Sequence, residues 1–146
     1  MRVPDEVADL LRGSPEVGAW EQAFPFLTVD PGGFPHAALL SRAEMEVGPA
    51  AADIRAAVRS RRTRANLERE GRAALIAAQG ETAHYVKLRV VRSAVRHDLL
   101  ACAFEVVEHR ADSLGIPLDP MRYRVTADIA RAERWDLTAD ALRLLD

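Results

Sequence analysis

The apolar positions of the chain change period several times, and each change marks an element. Val7, Leu10 and Leu11 recur at helical spacing between Pro4-Asp5 and Gly13, which predicts a short amphipathic helix over about residues 4–12, started by Asp5 and stopped by Gly13. The segment Phe24 to Asp30 is dense in aromatic and β-branched residues and is broken by Pro31-Gly32-Gly33. A hairpin is expected there, returning over His36 to Ser41 and extended at Met45 to Val47 before Gly48-Pro49 interrupts. The Ala-rich stretch Ile54 to Val58 fits either a helix or a strand. Ser60 to Glu70 reads as a helix, with Ser60 as its cap and Gly71 as its end. Ala73 to Ala78 is a short apolar strand closed by a turn at Gln79-Gly80.

The stretch from Thr82 to Arg96 is more specific. Val86, Leu88 and Val90 alternate with Lys87 and Arg89, and the apolar parity then switches to Val91, Ser93 and Val95. A strand whose side chains change face midway needs a bulge or a sharp bend, as barrels use to turn corners. Leu100 to Glu108 is the next strand, with Cys102, Phe104 and Val106 on one face. Asp112 to Pro120 is a surface loop, Tyr123 to Thr126 a final strand, and Asp136 to Leu145 a C-terminal helix. About six short strands with two or three helices predict an α+β, mainly β chain built on an antiparallel barrel.

Composition narrows the function classes. At 146 residues the chain suits one domain, 1–146, with the barrel over about 24–126 and the last helix over about 136–145. A net charge of −2 argues against wholesale binding of nucleic acid or membrane. No apolar run reaches membrane-spanning length and the first residues lack a signal-peptide layout, so a cytoplasmic protein is expected. The single cysteine, Cys102, lies in an apolar run and reads as a small core residue. The histidines His36, His84, His97 and His109 show no ligand spacing, so no metal site is expected, and no nucleophile elbow, P-loop or dinucleotide fingerprint occurs.

Chemistry concentrates at Arg59-Ser-Arg-Arg-Thr-Arg64. The first turn of a helix carries unpaired N–H groups and the positive end of the macrodipole, so cations there are disfavoured by ~0.3–1 kcal/mol each. Arg59, Arg61, Arg62 and Arg64 nevertheless gather at that end. An anion held by the N–H groups, the Ser60 and Thr63 hydroxyls and one or two guanidinium forks reverses the sign of the effect. The competing reading is a solvated basic face, because Lys87 is the only lysine and the whole chain is biased toward arginine. A grip on nucleic-acid phosphates ranks lower, since aromatic residues are 5% of the chain and Glu68 and Glu70 dilute the cluster.

Taken in order, these segments resemble the pyridoxamine 5′-phosphate oxidase-like family of FMN-binding split barrels. The matching pieces are Phe26 to Asp30 with Gly33 to His36, Ser60 to Leu67 followed by Gly71 to Leu75, and Tyr85 to Val91. The resemblance implies a six-stranded antiparallel split β-barrel with flanking helices, a homodimer, and FMN bound at the subunit interface. It implies a flavin-dependent oxidoreductase acting on a small molecule, with Arg61 and Asn66 matching the family's phosphate-holding stretch and Thr63 standing where lysine is common. Arg62 or Arg64 would compensate. By the same resemblance Ala57, Val58 and Arg59 border the flavin and Lys87 falls where a partner-strand residue approaches it, while Ser60 and Arg64 belong to the anion site read from the helix start. The alternatives are the same barrel holding haem, a deazaflavin or FAD, and a barrel without cofactor acting as a dimeric interaction protein. No catalytic acid or base stands out.

Overall fold

A computed structural model describes residues 1–146. The first helix, α1 (Asp5–Leu11), buries Val7, Ala8 and Leu11 in the main core. Nine strands follow in chain order with the remaining helices: β1 (Trp20–Gln22), β2 (Phe24–Val29), β3 (Pro35–Leu40), β4 (Met45–Val47), β5 (Ile54–Val58), α2 (Arg61–Glu70), β6 (Arg72–Gln79), β7 (Thr82–Arg96), β8 (Leu99–Ser113), β9 (Arg122–Arg124), α3 (Ala127–Ala132) and α4 (Trp135–Leu142). Seven strands form one antiparallel sheet in the order β3-β2-β6-β7-β8-β5-β4, while β1 and β9 pair separately. The sheet curls around a core in which Phe26 meets Phe104 edge-to-face, ring centroids 5.8 Å apart.

The expected six strands are therefore seven, for a local reason. The backbone turns at Ser41 to Glu44, where the Glu44 N–H donates to the Ser41 carbonyl at 3.0 Å. Met45 to Val47 consequently leaves β3 and pairs with β5 at the opposite edge of the sheet. Tyr123 sits in β9 opposite Glu21, outside the main sheet. β5 resolves the ambiguity at Ile54 to Val58 in favour of a strand.

The switch of side-chain parity in β7 has the expected cause. Val90 pairs with Phe104 and Arg92 with Ala103, so Val91 is an extra residue in the ladder. A second shift follows from β8, where Lys87 faces Glu108 but Leu88 faces Val106, which leaves Val107 unpaired. Together they bend the long β7–β8 ribbon, and near its tip both faces of β8 are covered while β7 stays largely exposed. There Ala57, Leu99, Ala101 and Ala103 point out of the barrel and pack against Ala141, Leu142 and Leu145 of the C-terminal segment. No helix is long and apolar enough to cross a membrane.

Candidate functional site

α2 follows β5 directly and begins at one end of the barrel. The Ser60 Oγ accepts from the Thr63 N–H, and Gly71 closes the helix in the left-handed conformation at φ +65°. The buried side of α2 carries Thr63, Asn66 and Leu67. The Asn66 amide donates to the Thr28 hydroxyl and to the Asp30 carboxylate, both at 3.0 Å, and so ties the helix to β2 and its turn. The Thr63 Oγ1 is buried and has no hydrogen-bond partner. These two residues face the barrel rather than solvent.

The arginines divide sharply. Of 20 basic residues, one is Lys87, and 14 of the arginines pair with a carboxylate. Only Arg2, Arg59, Arg61, Arg62 and Arg124 do not, and three of those five flank Ser60. A compositional bias toward arginine would scatter its unpaired members. Here they cluster where the helix field already opposes them.

Two cavities flank the start of α2 and share Arg61. The more open one, about 490 Å³, is lined by Asp30, Pro31, Arg61, Arg62, Ala65, Asn66 and Arg69. The other, about 560 Å³, is lined by Arg59, Arg61, Arg64, His97, Asp98, Arg134 and Leu137. His97 and Asp98 form the two-residue turn between β7 and β8, with φ +54° and +62°, as this hairpin type demands. His97 is held by Asp140, whose carboxylate lies 2.8 Å from Nε2. That hydrogen bond, together with Arg96, keeps Asp140 below the usual carboxylate range. The second cavity thus presents four guanidinium groups and an imidazole around one carboxylate, a field that favours an oxyanion.

The structure brings Arg59, Arg61 and Arg64 of the sequence-predicted set into this cavity, and Ser60 caps the helix beside it. Ala57 and Val58 do not line it: Val58 points into the barrel core, and Ala57 is sealed beneath α4. Lys87 lies away from both cavities on the outer face of β7, ion-paired with Glu108 at 2.8 Å. Sequence reasoning missed His97, Asp98, Arg134 and Leu137. The pair His97-Asp98 between two long strands was a usable turn signal, because aspartate tolerates the left-handed region. Arg134 carried no such signal.

Solved structures share this architecture. The flavin reductase of styrene monooxygenase from Pseudomonas putida S12 is 11% identical, matches 71% of this chain and 92% of its own, and superposes with a TM-score of 0.53. The fold is the split barrel of such reductases. An F420 reductase is 12% identical over 74% of this chain and 98% of its own, TM-score 0.55. A nitrilotriacetate monooxygenase component B from Mycobacterium thermoresistibile is 10% identical over 73% and 82%, TM-score 0.53. No protein-family model and no curated protein matches the chain.

Proposed function

We propose that the chain is an FMN-binding split-barrel flavoprotein, a flavin-dependent oxidoreductase acting on a small molecule. The observation that carries the reading is the trio of carboxylate-free arginines around Ser60, two of which line a cavity at a helix start. A phosphate there meets the free N–H groups of α2, the Arg61 guanidinium, and the Arg59 and Arg64 side chains. The flavin and deazaflavin reductases that share the fold are consistent with this ligand class.

The donor set fits the phosphate end of FMN. It is less suited to the ring, since Leu137 is the one hydrophobic residue lining the cavity and Ala57 is covered by α4. A second copy of the chain closes the site in this reading. The outer face of the β3-β2-β6 layer is apolar where a solvated antiparallel sheet is ordinarily polar. Leu27 faces Ala37 on one side and Ala74 on the other, Ile76 faces Tyr85, and Leu39 and Val29 are 54% and 43% exposed. Replacing Ile76 with Glu should convert a dimer to a monomer by light scattering. A protein already monomeric at micromolar concentration would remove that part of the proposal.

When bound, FMN supplies hydride acceptance and return at its isoalloxazine ring. The residues of this chain bind and orient its phosphate. The absorption spectrum of the purified protein tests the assignment, because oxidised flavin, a deazaflavin and haem absorb differently. Arg61→Ala should weaken FMN retention at least tenfold, ~1.4 kcal/mol. Colourless protein whose melting temperature ignores added FMN would instead favour the cofactor-free dimer, a reading the burial of Ala57 supports.

A further inference from the structure

Resting on the phosphate reading above, we infer that Arg134 is a second phosphate-binding residue, so that a phosphoryl oxyanion in the larger cavity bridges α2 to the C-terminal segment. The cavity gathers guanidinium groups from three separate stretches of chain: Arg59 at the end of β5, Arg61 and Arg64 on α2, and Arg134 at the junction of α3 and α4. Cations converging from distant segments repel one another unless an anion lies among them. Asp98 is the one carboxylate among the lining residues.

The two sides lie within a single side chain's reach. The Arg59 Nη2 donates to the Glu133 carbonyl at 3.2 Å, one residue before Arg134. The present partner of Arg134 is Asp136, at 3.2 Å from Nε and 3.1 Å from Nη2. Those side chains are 52% and 65% exposed, so water screens the pair and a doubly charged phosphate can replace it. The backbone agrees: His97, Asp98 and Arg134 are three of the five non-glycine residues with positive φ, and all three line this cavity. Such conformations persist where the surroundings hold them, and they are common at ligand clamps. Because α4 begins one residue after Arg134, a bridging phosphate also holds in place the helix that seals Ala57.

Calorimetric titration of inorganic phosphate and of FMN into the full-length protein tests the bridge, at fixed ionic strength. The variants are Arg61→Ala, Asp136→Asn and Arg134→Gly. Glycine suits φ +49° at position 134, so the guanidinium is removed without disturbing the backbone, and circular dichroism melting checks the fold. Arg134→Gly should weaken phosphate binding about tenfold, and Asp136→Asn should strengthen it about threefold. Phosphate should also slow amide exchange from Glu133 to Leu142 in the parent and not in Arg134→Gly. Binding that weakens in Arg61→Ala but is unchanged in Arg134→Gly and Asp136→Asn overturns the bridge and leaves the α2 site standing. Binding absent from the parent, or unchanged in all three variants, overturns both.

Discussion

Arg55→Met is the substitution that best tests how the C-terminal segment is held. Arg55 is 4% exposed on the outward face of β5. Its Nε donates to Asp53 at 3.0 Å and its Nη1 to Asp146 at 2.6 Å, with Glu46 at 3.7 Å. Removing one member of a buried ion pair costs about 3–5 kcal/mol, because the other charge is left without partner or water. Asp146 and Glu46 have side chains 66% and 43% exposed and can hydrate, whereas Asp53 is 10% exposed. Only Asp53 is left poorly satisfied, keeping Arg92 Nη2 at 3.5 Å, so the lower end applies, about 3 kcal/mol. Methionine keeps most of the aliphatic stem, which confines the loss to the charge. For a chain of this size the melting temperature should fall by about 6–12 °C. Urea unfolding followed by circular dichroism gives the stability directly, and Asp53→Asn with Arg55→Met should recover about 2 kcal/mol relative to the sum of the singles. A single variant within ~0.5 kcal/mol of the parent would refute the reasoning, since surface substitutions behave that way.

Two further outcomes follow from the buried titratable groups. Burial and the neighbouring His109, whose Nε2 lies 3.0 Å from His84 Nδ1, lower the pKa of His84. The unfolded chain therefore binds the extra proton first, so stability is full above about pH 6.5 and declines as pH falls below it. Urea midpoints between pH 7.5 and 5 should show this decline, and His84→Asn should flatten it; an unchanged slope in the variant would assign the decline elsewhere. Burial pushes the Cys102 thiol up to about 12. Iodoacetamide at pH 8 should leave the native protein unlabelled and modify it in denaturant, and rapid labelling of the native state would contradict the core placement.

What the sequence disclosed was local. The β2–β3 hairpin was readable from Pro31-Gly32-Gly33, and Gly33 sits at φ +88°. The limits of α2 followed from Ser60 and Gly71, and a bulge in β7 from the parity of six side chains. What it concealed was tertiary. β5 shows no alternation because Ala56 and Val58 face the barrel while Ala57 lies beneath α4, so both faces are apolar. β1 and β9 are three residues each and exist through pairing with one another, which no window around Trp20 or Tyr123 could reveal. α3 buries none of its residues and so lacks the apolar stripe that marks a helix. The site divides the same way. Its arginines on α2 were visible as a cluster, whereas Arg134 joins them across a contact separated by 74 residues at Arg59 and Glu133.

That division bears on how composition and function separate in an arginine-rich chain. Every arginine here could be attributed to bias, and a count from the sequence cannot distinguish one from another. Pairing can. An arginine retained only for solubility tends to find a carboxylate, as Arg72 does with Glu70 at 2.9 Å and Arg89 with Glu105. Arg61 and Arg62 have none, and they sit in the first turn of a ten-residue helix that has no acidic residue there. Empty, that arrangement weakens α2 by ~0.3–1 kcal/mol per cation. Occupied by a phosphate, the same side chains and the same dipole both stabilise the helix. The sign of the interaction therefore depends on the ligand, and α2 gains from its arginines only when the cavity beside Ser60 is filled.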